Sequence, residues 1–222
     1  MFTALYRTFN SFPVNVLYEL NESSSLENSE EWITDLSVNE QNITLEYFRT
    51  FRSVELLYDF ITEQETPEIL SKTYKASCSI SLYNKRIVIY GSKAACSNLE
   101  RYLEKKAHIK LFSSKVEMQG ILNKISTKMY QIKSVEYCNV EFLNVNLNSL
   151  TLNVKTNIDA QQILSKVPSS PSKTSIEIYY GKTCYKLNID FINGSMKLNY
   201  DSFKSNDIED LKELILSFFE EE

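Results

Sequence analysis

The sequence predicts an α+β fold: one or two antiparallel sheets built from repeated strand–turn–strand–helix units, with the helices packed on one face. Three observations lead to this prediction. Tyr and Phe are abundant, with 14 and 12 copies, and they favour strands over a helical bundle. Runs of alternating apolar and polar residues recur along the chain and are separated by short turn signals. Several of these runs are followed by a helix-capping residue and an apolar stripe with helical spacing.

The first unit covers residues 36–61. Alternation predicts strands over 36–38 and 43–47, with a turn at residues 39–42. A helix is predicted to follow, because apolar residues recur at i, i+3, i+4 and i+7. These residues are Val54, Leu57, Tyr58 and Ile61.

The second unit has the same order. Alternation predicts strands over 74–82 and 87–90, joined by a turn at Asn84-Lys85. Ser92 is placed to cap a helix, whose apolar residues are Cys96, Leu99, Tyr102 and Leu103. An additional helix is predicted after it, since Ser114 and Glu117 form a capping pattern. Its apolar stripe is Met118, Ile121, Leu122 and Ile125.

The third unit begins with a strand over 138–147. Its alternation changes phase at Leu143 and continues at Val145 and Leu147, which predicts a β-bulge within the strand. A return strand is predicted over 150–154, and Asn157 is placed to cap a short helix. The apolar residues of that helix are Ala160, Ile163, Leu164 and Val167.

The fourth unit has three predicted strands, over 176–180, 185–191 and 196–200. Gly181-Lys182 predicts the first turn and Asn193-Gly194 a type I′ hairpin at the second. Asn206 with Glu209 forms a capping pattern that opens the last helix. Its apolar residues are Ile208, Leu211, Leu214, Ile215, Phe218 and Phe219.

Two segments have the composition of unstructured, exposed loops, namely residues 21–31 and 168–175. A boundary near residue 134 would divide the chain into an N-terminal α+β half, 1–133, and a C-terminal α+β half, 134–222. A single domain over 1–222 agrees with the sequence about equally well.

Charge is distributed very unevenly along the chain. Residues 1–71 carry 3 Lys/Arg and 13 Asp/Glu, residues 72–133 carry 13 and 3, and residues 134–222 carry 8 and 13. A cationic middle between anionic flanks indicates either a surface for polyanions or a docking surface for an acidic partner. The candidate binding residues are Lys85, Arg86, Lys93, Arg101, Lys105, Lys106, Lys110, Lys115, Lys124 and Lys128.

Two functions agree with this distribution. The first is a non-enzymatic adaptor or scaffold subunit of a homo- or hetero-oligomeric assembly, which docks through the basic surface and through apolar positions on an edge strand or the terminal helix. The second is sequence-independent binding of DNA or RNA by the Lys-rich segment 72–133. Lysine suits phosphate contact more than base recognition, but the sequence pI near 5.2 opposes a dedicated nucleic-acid binder.

Two short motifs bear on partners and regulation. The spacing Lys212-x-x-Ile215-x-x-Phe218-Phe219 resembles the motif with which replication proteins bind the sliding clamp, with Lys in place of Gln. The resemblance implies that Ile215, Phe218 and Phe219 bind a partner, whereas an amphipathic core helix gives the same spacing. Ser170-Pro171-Ser172-Lys173 resembles the consensus of proline-directed kinases, so Ser170 is a candidate phosphorylation site. The resemblance implies a eukaryotic, nuclear setting.

The sequence shows no catalytic, metal or cofactor signature. The only histidine is His108, the four glycines lie far apart, and the four cysteines include no C-x-x-C pair. An enzyme whose site is assembled from scattered residues is the third alternative. No apolar run is long enough to span a bilayer and no signal peptide is evident. Three of the four cysteines lie in alternating strand patterns, where a reduced and buried thiol is expected. Together these features predict an intracellular protein without membrane contact.

Overall fold

The computed structural model describes residues 1–23, 30–61, 64–167, 169–180, 182–199 and 205–218. Within these ranges the chain forms one large sheet and five helices. The strands are β1 (Phe2–Phe9), β2 (Glu31–Val38), β3 (Asn42–Asp59), β4 (Gln64–Ser81), β5 (Arg86–Gly91), β6 (Leu111–Ser113), β7 (Met129–Phe142), β8 (Val145–Asn153), β9 (Lys173–Tyr180), β10 (Thr183–Asp190) and β11 (Ser195–Asn199). The helices are α1 (Val14–Ser23), α2 (Lys93–Lys106), α3 (Met118–Ile125), α4 (Asn157–Lys166) and α5 (Ser205–Ser217).

The strand order is β2-β3-β4-β5-β1-β11-β10-β9-β7-β8, and all the pairings are antiparallel. Strand β1 lies at the centre. One of its edges pairs with β5, and the other pairs first with β11 and then with β6. Strands β2 to β5 lie on one side of β1, and β7 to β11 lie on the other. These two sides of β1 are here called the halves of the sheet, and they do not coincide with residues 1–133 and 134–222.

The helices cover opposite faces of the two halves. Alternate residues of β1 point to opposite faces of the sheet. Tyr6 belongs to a core with α3, α4 and α5, whereas Phe9 belongs to a second core with α1 and α2. The Tyr6 hydroxyl donates a hydrogen bond to the carbonyl oxygen of Ile215 in α5 (3.1 Å), and the Cys96 thiol in α2 donates to the Thr3 carbonyl oxygen (3.5 Å).

The prediction of an α+β fold with a large antiparallel sheet is confirmed. The prediction that the helices pack on one face is wrong, because the core with α3, α4 and α5 and the core with α1 and α2 lie on opposite faces of β1. The sequence pattern identifies the apolar side of each element but carries no information about how the halves are joined. The repeated unit is not general either, since β1 and α1 precede it and were not predicted.

The helix predicted over 54–61 is wrong: residues up to Asp59 continue strand β3. The β-bulge predicted near Leu143 is also wrong. Leu143 (φ 52°) and Asn144 (φ 64°) form a two-residue hairpin turn between the paired Phe142 and Val145. A left-handed conformation at both central residues is the type I′ geometry, so the phase change marks the end of one strand and the start of another.

Turns and caps differ in detail from the predictions. The Ser92 side chain caps α2 by accepting from the Ala95 N–H (3.2 Å), as predicted. Helix α3 begins only after Glu117, which makes no side-chain cap. The side chain that caps α4 belongs to Thr156, one residue before the predicted Asn157. The Asn206 cap lies outside the described side chains.

The Asn193-Gly194 turn is a four-residue loop, because Asp190 pairs with Ser195. Of the two predicted loops, only part of residues 168–175 is a loop, since Lys173 begins β9 and Ser175 is buried. Pro168 lies outside the described residues. Within residues 21–31, α1 reaches Ser23 and β2 begins at Glu31, and residues 24–29 lie outside the description.

The four cysteines are reduced, but only two are buried. Cys78 and Cys96 lie in the core beside α2, whereas Cys138 and Cys184 are exposed, contrary to the expectation of buried thiols in all the strand patterns. Burial raises the pKa of the Cys96 thiol to about 12 and also raises that of Cys78. Thiolate, the reactive form, is therefore suppressed at the two buried positions.

We expect a thiol reagent such as DTNB to modify two cysteines quickly in the folded protein and all four only after unfolding. The matched variants Cys138→Ser and Cys96→Ser distinguish the classes: the first removes one fast equivalent, and the second leaves the fast phase unchanged. Rapid reaction of all four thiols under native conditions would contradict the burial of Cys78 and Cys96.

Candidate docking surface

Strands β3 and β4 extend well beyond the rest of the sheet. They pair with each other from Asn42↔Ser81 to Asp59↔Gln64. Their outer neighbours stop much earlier, because β2 pairs with β3 only up to Arg49 and β5 pairs with β4 only from Ala76. Residues 51–72 therefore form a two-stranded projection, here called the arm, whose strand segments are each about 30 Å long at 3.3 Å per residue.

Side-chain contacts between β3 and β4 lie at the junction where the arm leaves the sheet. Thr50 and Thr73 share a hydroxyl hydrogen bond (2.9 Å), and the rings of Phe51 and Tyr74 meet edge to face with their centroids 5.4 Å apart. The Arg49 guanidinium lies 4.2 Å from the centroid of the Phe51 ring. β-Branched and aromatic residues favour strands, and these contacts continue the register of the sheet into the arm.

Beyond these contacts the arm exposes apolar side chains on both faces. On the face that does not continue the α2 side of the sheet, Val54 lies opposite Ile69 and Leu56 opposite Pro67. The other face includes Leu57 and Leu70, and the tip ends in Phe60 and Ile61. The exposed fractions are Phe51 41%, Val54 67%, Leu56 63%, Leu57 47%, Tyr58 49%, Phe60 86%, Ile61 93%, Ile69 70% and Leu70 38%. Two-stranded hairpins are marginally stable alone, and contiguous exposed apolar patches mark interaction sites.

The arm is also acidic. Five acidic residues and no basic residue lie between Arg52 and Lys72. Glu55 and Glu68 are exposed and face each other directly across the two strands. Like charges at opposed positions destabilise a strand pair, and no ion pair is formed at either carboxylate by the described part of the chain. A Lys or Arg side chain of a binding partner would relieve the repulsion between these two carboxylates.

A basic cluster lies at the base of the arm, where α2 crosses β3. Arg101, Lys105 and Lys106 of α2 line a cavity of about 250 Å³ together with Arg49 and Tyr102; Glu31 completes the lining. Arg49 was not predicted as a site residue. It lies in β3, outside the Lys-rich segment, and only the fold brings it to α2.

The cluster includes one acidic group that is held by several partners. The Glu31 carboxylate accepts from the Tyr47 hydroxyl (3.1 Å) and lies 3.3 Å from Nη1 of Arg49. Burial, and then the negative charge of Glu31, raise the pKa of both Tyr47 and Tyr102. Both phenols therefore stay protonated at neutral pH, so the only negative charge in the lining is Glu31.

The ten predicted cationic residues do not share one face. Lys93, Arg101, Lys105 and Lys106 belong to α2, whereas Lys124 belongs to α3 on the opposite side of the sheet. The remaining five predicted cations lie in loops or at strand ends, and they are Lys85, Arg86, Lys110, Lys115 and Lys128. The structure thus brings Arg101, Lys105 and Lys106 together with Arg49 and separates them from the rest. Whether these residues bind a partner stays a prediction.

Several of the separated cations have contacts of their own. The ammonium group of Lys124 donates to the carbonyl oxygen of Ser217. The Lys128 ammonium lies 4.9 Å from the Tyr180 ring centroid, and that of Lys110 lies 5.3 Å from the Phe112 ring centroid. Arg86 lines a cavity of about 510 Å³ on the same face of the sheet as α5, whose Leu216 also lines it. That cavity is lined largely by hydroxyl and amide side chains, including Thr44, Ser79, Ser81 and Asn84.

The residues predicted as a partner-binding helix and as a phosphorylation site lie in different environments. Ile215 is 1% exposed and packs in the core, so it is not on the surface; Phe218 is half-buried against the same core. Phe219 lies outside the described residues. Ser170 is exposed in the connection before β9, and its modification stays a prediction.

Other observations concern cofactors, membranes and relatives. Across the residues that the structure describes, no three His, Cys, Asp or Glu side chains come close enough to hold a metal ion. None of the helices in the described ranges is both long and apolar enough to cross a bilayer. No protein-family model matches the sequence, and no curated protein shows significant similarity to it.

Proposed function

We propose that this chain is a non-enzymatic adaptor subunit that docks another protein through the arm. The observation that supports the proposal is the exposure of nine large apolar side chains over residues 51–70. None of them belongs to either core of the fold. An exposed apolar hairpin is costly in water, so its presence favours a partner that covers it.

The charge of the arm indicates what kind of surface that partner has. Carboxylates at Glu55, Glu65 and Glu68 accompany the apolar residues. The complementary surface is therefore apolar and carries Lys or Arg. Pairing of two arms from two copies would bring like charges together, and anionic lipid headgroups would repel the arm. We therefore propose a basic, apolar surface of a different protein as the occupant.

The free edges of the arm suggest how contact is made. The outer edge of β3 beyond Thr50 and that of β4 before Ala76 have no neighbouring strand among the described residues. Their backbone N–H and C=O groups are available to a third strand, as in β-augmentation. The apolar side chains would then give specificity on both faces of the extended ribbon.

We expect Ile69→Lys to weaken partner binding about ten- to hundredfold, because burying one aliphatic side chain contributes about 1.5–3 kcal/mol. The substitution should leave stability nearly unchanged, since Ile69 is 70% exposed. Ile158→Lys is the matched control, because Ile158 is 68% exposed in α4, away from the arm. Affinity purification with the wild type and both variants, followed by titration of the purified partner, measures the effect.

A protein recovered by the wild type and by Ile158→Lys, but not by Ile69→Lys, and bound directly after purification, would support the proposal. Its association should also slow as ionic strength rises, as charge complementarity requires. Equal recovery and equal affinity with all three chains would contradict the arm as the docking element. Dimerisation of the wild type that Ile69→Lys abolishes would replace the foreign partner with a second copy.

A further inference from the structure

The basic cavity at the base of the arm has features that the adaptor proposal does not use. Its lining holds four cations and one carboxylate. Nothing in the part of the chain that the structure describes forms an ion pair with Arg101, Lys105 or Lys106. The cavity therefore has a strong positive potential, which low-dielectric walls concentrate.

Two guanidinium groups are held side by side in this cavity. Nη1 of Arg49 lies 3.4 Å from the Asn98 side-chain oxygen, and Nη2 of Arg101 donates to the same oxygen at 2.8 Å. A neutral amide oxygen does not compensate two like charges. The single carboxylate, Glu31, contacts Arg49 alone of the pair. Adjacent guanidinium groups with too little negative charge are the arrangement that anion sites use.

Arg49 also has an unused donor. Its Nε is buried and has no hydrogen-bond acceptor, and its side chain is only 17% exposed. A buried N–H without a partner costs free energy. The guanidinium is fixed by Glu31, Asn98 and the Phe51 ring, so it is preorganised and would lose little entropy on binding.

We propose that this cavity binds a phosphoryl group carried by a protein segment. Arginine recognises phosphate through paired N–H donors, and two lysines add point charges suited to a dianion. A volume of about 250 Å³ admits a phosphoryl group with a few neighbouring atoms. An extended polyanion fits poorly, because the acidic arm begins directly beside the cavity and the exposed Glu104 precedes Lys105 in α2.

The test uses the full chain labelled with ¹⁵N, with NMR of the arginine Nε–H groups at constant ionic strength. Three probes are titrated: inorganic phosphate, a short phosphoserine peptide with its unphosphorylated form, and a single-stranded oligothymidine. We expect the phosphopeptide to shift the Arg49 Nε–H signal and to bind about tenfold or more tightly than the unphosphorylated peptide, as one charge-assisted contact would give.

Arg49→Lys keeps the charge but removes the planar donors, and it should weaken phosphopeptide binding about tenfold. Lys93→Glu is the matched control, because Lys93 is exposed at the other end of α2 and does not line the cavity. Equal losses in both variants, or an unmoved Arg49 signal, would overturn the site. Equal affinity for inorganic phosphate would overturn the peptide as the ligand, and tighter binding of the oligonucleotide would assign the cavity to nucleic acid.

Discussion

Replacing Gly194 with alanine is expected to lower the free energy of unfolding by about 3 kcal/mol or more, the largest stability effect that the structure implies for a one-methyl change. Gly194 has φ +52° at the end of the loop between β10 and β11. A Cβ there would lie 2.4 Å from the Ser114 carbonyl oxygen and 2.8 Å from the Tyr6 carbonyl oxygen. Both neighbours are backbone atoms and cannot move aside by changing a rotamer.

The position matters because the loop is bonded to the central strand. The Gly194 carbonyl oxygen accepts from the Tyr6 N–H at 2.8 Å, and the Ser114 N–H donates to the Tyr6 carbonyl oxygen at 3.0 Å. Arg7 adds a hydrogen bond to the Asn193 carbonyl oxygen (2.8 Å) and an ion pair to Glu100 in α2. Displacing this backbone would disturb β1, through which the two halves of the sheet are joined.

The matched control is Gly120→Ala. Gly120 lies in α3, and an added Cβ there would meet no atom within 4 Å outside the backbone of its own helix and its chain neighbours. Alanine should stabilise the helix by about 0.5–1 kcal/mol. Urea unfolding followed by circular dichroism measures both variants. If Gly194→Ala unfolds at the wild-type midpoint, the close approach of the loop to β1 does not exist in solution.

The sequence predicts the elements whose signals are local. Helix α2 was predicted from the Ser92 cap and its stripe, and both are confirmed because a cap and a helical stripe involve residues at most a few turns apart. The β4–β5 and β9–β10 hairpins were predicted from alternation and turn residues for the same reason. The position of β1 between the two halves of the sheet could not be predicted, since β1 pairs with β5 and β11, which are far away in the chain.

The arm was missed for a specific physical reason. Alternation reveals a strand only when one face is polar, but the arm has apolar residues on both faces. Val54, Leu57, Tyr58 and Ile61 then fit the helical spacing. The pairing of the first three with Ile69, Thr66 and Glu65 is visible only in the fold. The sequence predicts part of the lining of the basic cavity, because Arg101, Lys105 and Lys106 lie in the segment with high positive charge. Arg49 was missed because no local signal connects it to α2.

Excising the arm is expected to lower the affinity for the partner more than a hundredfold while leaving the fold intact. Phe51 and Lys72 are a cross-strand pair, so replacing residues 52–71 with Asn-Gly closes the hairpin with a two-residue type I′ turn. None of the side chains that the structure describes in the deleted segment belongs to either core. The free energy of unfolding should therefore change by less than about 1 kcal/mol, as for surface changes away from packed features.

Two measurements distinguish a loss of docking from a loss of folding. Urea unfolding of the excised chain tests the fold, and titration with the partner identified by the wild type tests docking. The contacts that end the sheet, Thr50 with Thr73 and Phe51 with Tyr74, remain in the excised chain, and so does the basic cavity. Phosphopeptide binding should therefore persist when the arm is gone. A chain that folds normally and still binds the partner with unchanged affinity would mean that the exposed apolar residues of the arm are not what the partner recognises.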